Sequence, residues 1–184
     1  MKNLKRFALM VSLVTVLPTV GFGGQYSVDY ILEQVRLKKL PDYCEYMGVL
    51  QAGRTEKGKE LRKKYGPSWA HMHHYCWALV DLKKGYDHQA IKNLDYVLRN
   101  ITRDPSLRPM VLFKKAMVLS INQSSSEAVS VYRELIEIKP DFEPAYVALA
   151  NLFLQQGDKK TAREIAALGL EHIPNSEKLK ALTK

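Results

Sequence analysis

Cysteine is scarce in this 184-residue chain, which holds only Cys44 and Cys76, so at most one internal bridge can form. Motifs that mark catalysis are missing as well. The chain has no phosphate-cradling glycine loop, no nucleotide fingerprint, no paired-carboxylate motif and no glycine-rich oxyanion loop beside a nucleophile. These absences argue against an enzyme and leave no cofactor to hold. Past residue 20 no apolar run is long enough to span a bilayer, and no nucleic-acid recognition motif occurs. Acidic residues are in the minority, 19 against 28 Lys and Arg, for a net charge of +9. What remains is 46% hydrophobic and 26% charged, the balance of one ordinary globular domain.

The one sustained apolar run, Phe7 to Val20, follows a basic start (Lys2, Lys5, Arg6) and precedes the small residues Gly21, Gly23 and Gly24. These are the three parts of a secretory signal, residues 1–23, with cleavage expected after Gly23. An uncleaved anchor is the alternative, but the run falls short of the roughly 20 residues a spanning helix needs, and Pro18 interrupts it. No cysteine follows the cut, so lipid attachment there is not indicated and the mature chain is expected to be soluble. Export predicts a periplasmic location in a bacterium, and otherwise secretion or the secretory pathway. Under oxidising conditions Cys44 and Cys76 are expected to bridge, at about 3–4 kcal/mol of stabilisation in the chain-entropy account. Two free buried thiols remain the alternative.

Sliding the sequence against itself by 34 residues superposes Ala116 on Ala150, Ala128 on Ala162 and Pro140 on Pro174. A period of that size marks stacked supersecondary units. Each unit reads as two helices. Apolar residues recur at helical spacing from Tyr146 to Leu154, Gly157-Asp158 break the run, a second periodic stretch covers Thr161 to His172, and Pro174 ends the pair.

Tyr146, Leu149, Ala150 and Phe153 on the first helix, with Ala162, Ala166 and Pro174 on the second, resemble the tetratricopeptide pattern W-x2-L-G-x2-Y, A-x3-F, P. The preceding unit supplies Leu112, Ala116, Leu119, Ala128, Tyr132 and Pro140, with Lys115 where an apolar residue is expected. An earlier one is marked by Ala78 and Ala90, with His74, Trp77, Leu94 and Val97 around them and Gly85 at the turn. Here Asp81 stands where an aromatic belongs, and the stretch 104–109 lengthens the connection to the next unit by four residues. The resemblance implies an all-α, right-handed α-solenoid of three helix hairpins, about 71–104, 109–142 and 143–176, within a repeat domain 66–184. Asn175 to Lys184 begins with a cap residue and reads as a short helix closing the array, 176–184. Residues 24–65 form an N-terminal segment with two further helices, 27–40 and 41–51, and a basic linker.

The family lines a concave groove with the inner faces of its first helices. By that resemblance the lining here is Met72, Tyr75, Leu79 and Lys83 from the first unit, Met110, Phe113, Met117 and Ile121 from the second, and Val147, Asn151, Leu154 and Gln155 from the third. Several first-unit residues could instead pack against the N-terminal segment. An apolar, Met-rich centre suits a protein or peptide partner with apolar anchors, whereas Tyr75 and Phe113 stand where a clamp for acidic tails wants Lys and Asn. The implied function is a non-catalytic scaffold or adaptor, serving an envelope, secretion, pilus or polysaccharide apparatus.

Two clusters support other readings. His71, His73, His74 and Cys76 crowd two helical turns, which suggests metal or redox chemistry, but one helix presents at most two ligands to one ion. His88 or Cys44 would have to supply the rest, and packing roles for His74 and Trp77, with His71 and His73 partly exposed, are the plainer expectation. Arg54 to Lys64 carries six positive and two negative charges and could meet an anionic polymer or membrane surface, although its interspersed Glu residues suit a solvated linker or helix face.

Overall fold

A computed structural model describes residues 40–41, 43–44, 55–101, 106–122 and 124–184. The expected signal, and the bulk of the two expected N-terminal helices, lie outside the described residues. Every regular element among the described residues is helical.

Helix α1, Glu56–Tyr65, occupies the stretch expected as a basic linker, and Thr55 caps it by accepting the Gly58 N–H at 3.0 Å. A 3-10 turn, Gly66–His71, leads into three antiparallel hairpins and a cap. The hairpins are α2 (Met72–Lys84) with α3 (Asp87–Asn100), α4 (Arg108–Ile121) with α5 (Ser125–Ile138), and α6 (Glu143–Gln155) with α7 (Lys159–His172). The cap is α8, Glu177–Leu182, packed on α7 and α6.

The helix ends follow from local chemistry. Gly85 (φ 79°) and Gly157 (φ 81°) take the left-handed conformation that closes α2 and α6, where a Cβ would be strained. Pro109 and Pro144 sit in the first turns of α4 and α6, where no intrahelical N–H is required. Asp158 caps α7 through Thr161 N–H at 2.9 Å. Ser176, rather than Asn175, caps α8: its Oγ accepts the Leu179 N–H at 3.1 Å and donates to Glu143 at 2.6 Å, which ties the last helix to the third hairpin.

Within each hairpin the small residues do what close packing demands. Ala78 and Ala90, Ala116 and Ala128, Ala150 and Ala162 are all fully buried, so the paired helices approach without intervening bulk. Tyr132, Tyr146, Leu94, Leu112, Leu119, Leu135 and Leu149 fill the space around them without solvent contact. Burial of each such side chain is worth about 1.5–3 kcal/mol.

Two departures from the repeat pattern have physical reasons. Lys115 stands between hairpins, 2.8 Å from Asp95 on α3 and 3.2 Å from Glu127 on α5. Burial pulls its pKa down, yet the two carboxylates outweigh that and hold it above the ordinary lysine value. Asp81, in an aromatic's place, accepts from Asn93 Nδ2 at 2.8 Å, and Asn93 Oδ1 in turn accepts from His74 Nδ1 at 2.7 Å. Polar residues thus join α2 to α3 where the pattern would use a ring. Trp77, expected to pack, is 48% exposed. It occupies the first hairpin's counterpart of Lys115, the position that in the second hairpin meets the helix before it.

Gly169 on α7 lies tight against α6 and α8. A Cβ there would stand 2.7 Å from Leu179 Cδ1 and 2.9 Å from Tyr146 Cγ. Gly169→Ala is therefore expected to lower stability by about 1 kcal/mol, overriding the helix-propensity gain of similar size. Thermal unfolding checks this, and an unchanged or raised Tm would show that α8 yields at no cost.

Candidate partner-binding groove

The register positions expected to line the groove fall into two groups. Met72, Tyr75 and Leu79 of α2, Met117 of α4 and Val147 of α6 are buried. Met110, Phe113, Ile121 and Asn151 are half-buried, while Lys83, Leu154 and Gln155 are exposed. The Phe113 ring stands edge-on to Phe142 at 5.3 Å and to Tyr132 at 6.3 Å, anchored in the seam between the second and third hairpins.

The burial on α2 has a visible contributor. Cys44 is joined to Cys76 by a disulfide, with the Cα atoms 5.6 Å apart. Beside it, the Tyr43 ring meets Trp69 edge-on at 6.1 Å, and Tyr65 stacks on the same indole at 5.2 Å. Tyr75 O–H donates to Tyr43. Tyr43 O–H in turn reaches Met110 Sδ at 4.0 Å, a weak sulfur contact. Burial pushes both phenols above the ordinary tyrosine range, against which the hydrogen bond from Tyr75 lowers Tyr43. Leu40, Tyr43 and Cys44 all pack on the core. Tyr43 thus touches both α2 and α4, the first helices of successive hairpins.

Lys114, one residue before Lys115, turns inward and is buried, and burial pushes its pKa down to about 8. The unfolded chain holds that proton until about pH 10.5, so the folded state gains on the unfolded one as pH rises from about 8. The gain should reach about 2 kcal/mol by pH 10. Above pH 10 the buried phenols of Tyr75 and Tyr132, held above their ordinary values chiefly by burial, reverse the trend because the unfolded chain ionises first. Urea unfolding between pH 7 and 10 should show the rise in the native chain and a flat profile in Lys114→Met. Parallel profiles would contradict the assignment.

The His-rich turns resolve into packing. His73 Nδ1 donates to Ala70 O at 2.7 Å, His74 belongs to the Asn93–Asp81 ladder and stacks against Tyr96 at 3.8 Å, and His71 lies 3.4 Å from Tyr96 Oη. Cys76 is held as a disulfide, and among the described residues no three His, Cys, Asp or Glu side chains gather as a metal would need. On α1, Lys57 pairs with Glu60 at 2.8 Å and Lys59 with Glu56 at 2.6 Å, exposed pairs of small energetic value. None of the described helices is long and apolar enough to cross a membrane.

Three stacked helix hairpins with small residues at each crossing and a cap at one end define an α-solenoid, a class that works by offering surface to other proteins. Residues 123–184 match the family model of the tetratricopeptide repeat. The match covers α5 to α8, and the helices before it carry buried small pairs of the same kind. No curated protein and no solved structure matches the chain.

Proposed function

We propose that this chain is an exported, non-catalytic adaptor whose tetratricopeptide groove holds an extended or helical segment of a protein partner. The carrying observation is the half-open apolar lining of the second and third first-helices, where Met110, Ile121 and Leu154 remain accessible at the family's partner-binding positions. Apolar anchors of a partner would fill these places, and the amide of Asn151 would meet its backbone. Export rests on the signal-like residues 1–23 and agrees with an oxidised Cys44–Cys76 pair. The proposed setting is an envelope, secretion, pilus or polysaccharide apparatus, reached in a bacterium through the periplasm.

Ile121→Glu and Leu154→Glu, both at accessible positions, should keep the native Tm within a few degrees and reduce recovery of the crosslinked native partner at least tenfold. Full recovery in both folded variants would remove the groove from the account. Export has its own readout, a mature N-terminus at Gly24 in the envelope fraction. A chain that keeps Met1 there contradicts cleavage.

A further inference from the structure

We propose that α2 carries a self-association surface, on which a second copy of this chain lays its own α2 antiparallel about a two-fold axis at Trp77. This surface is separate from the groove and does not depend on the groove reading.

The register of the array marks the face. His73, His74, Trp77 and Val80 stand where α4 has Val111, Leu112, Lys115 and Val118, and where α6 has Ala145, Tyr146, Leu149 and Leu152. In α4 and α6 all of these except Lys115 are buried. The preceding second helix packs against each: α3 on α4, reaching Lys115 through Asp95, and α5 on α6. Among the described residues no hairpin precedes α2, and there His73, His74 and Val80 are half-buried and Trp77 is 48% exposed. At about 100° per residue, this stripe points roughly opposite to Met72, Tyr75 and Leu79.

The chemistry of the stripe selects its occupant. His73, Trp77 and Asp81 follow one another at four-residue spacing and form one row. Residues 73 and 81 are equidistant from 77. An antiparallel copy centred on Trp77 therefore sets His73 against Asp81 of the second copy, His74 against its Val80, and indole against indole. Each pair occurs twice, the isologous pattern of a two-fold interface. A parallel copy would set like on like. The Trp77 ring is already held edge-on to His73 at 4.8 Å and to His74 at 4.6 Å. Asp81 Oδ2 accepts from Asn93, and its other oxygen has room for a second donor. A contact one helix face wide is small, so the dimer belongs to the weak, transient class.

Formation is coupled to a proton. His73 Nδ1 donates to Ala70 O at 2.7 Å, so the ring meets the second copy through Nε2, which donates only when the imidazole is charged. Burial, with His74 and His71 alongside, holds His73 below the ordinary imidazole pKa against the pull of the Ala70 carbonyl. Pairing with a carboxylate raises it, so the dimer tightens as pH falls. The groups around His73 are His71 and His74 beside it, the uncharged Tyr96 and Asn93 that α3 packs against those two, and, across the axis, Asp81 with Lys84 one turn beyond.

Sedimentation velocity of the purified full chain is the test. A dimer should form at pH 6 and dissociate at least tenfold more readily at pH 8. Trp77→Lys, which gives α2 the residue α4 carries at that position, should keep the native circular dichroism and weaken the dimer at least tenfold. His73→Asp, which sets carboxylate on carboxylate, should weaken it as much, whereas His73→Lys should keep the dimer and lose the pH step. A chain that stays monomeric at both pH values overturns the proposal. So does a dimer that Trp77→Lys leaves intact, which is the result expected if the copies meet elsewhere. A dimer that needs Trp77 but is equally strong at pH 6 and pH 8 overturns the antiparallel register. Ile121→Glu and Leu154→Glu should leave the dimer unchanged, so failure of the groove reading and failure of this one are read separately.

Discussion

Tyr132→Ala should destabilise the chain by about 3–5 kcal/mol, the range for removing a fully buried aromatic ring from a packed core. Tyr132 is without solvent contact, and its ring meets Phe113, which in turn meets Phe142 at the seam with the third hairpin. Loss of the ring therefore opens a cavity within the second hairpin and removes a neighbour of Phe113, the ring that meets the third. In a solenoid, stability is the sum of unit and interface terms, so a defect at a seam uncouples what lies on either side. Urea denaturation should show the midpoint falling steeply, with the third hairpin and α8 unfolding separately from the first. A loss below about 1 kcal/mol would mean that the ring is not part of a continuous core.

Replacement of Cys44 and Cys76 together by serine should cost about 3–4 kcal/mol, the chain-entropy value for a closed loop with sequence separation 32. Nearly all of that acts on the unfolded chain, which regains freedom between residues 44 and 76. The second and third hairpins carry their own buried alanines and large side chains, whereas the first loses the covalent hold on Tyr43 and Cys44, which pack on the core. The variant should thus fold at room temperature with native circular dichroism and a markedly lower Tm. A Tm equal to that of the oxidised chain would contradict the bridge, and complete unfolding would contradict the independence of the second and third hairpins.

Much of the fold is legible in the sequence because the packing of stacked helix hairpins is local. The paired alanines at 78 and 90, 116 and 128, 150 and 162 recur at fixed spacing, and all six are fully buried where the pattern places them. Gly85 and Gly157 announce turns that do use positive φ. Harder to read are features set by what lies across the chain. Lys115 looks like an error in the motif until Asp95 and Glu127 are seen on the helices before and after it. Asp81 is equally puzzling until Asn93 and His74 supply its partners. Ser176 outcompetes Asn175 as the cap because its hydroxyl also reaches Glu143, 33 residues away, and no local rule contains that contact.

The groove shows the same division. Family register assigns which helix face looks inward, but whether Tyr75 is open depends on Tyr43 and Cys44, some 30 residues upstream, folding back onto α2. Cysteine arithmetic points to that return through Cys44 and Cys76. It does not foretell that Tyr43 would reach as far as Met110 on the second hairpin.

The most direct test of the central claim is a photo-crosslinker scan in the native cell, with the reactive group placed in turn at each exposed or half-buried position of α4, α5, α6 and α7. The account predicts partner adducts on α4 and α6 at three- and four-residue spacing, including 121 and 154, and silence at exposed second-helix positions such as 130 and 164. Adducts spread along α5 and α7, with α4 and α6 silent, would contradict it.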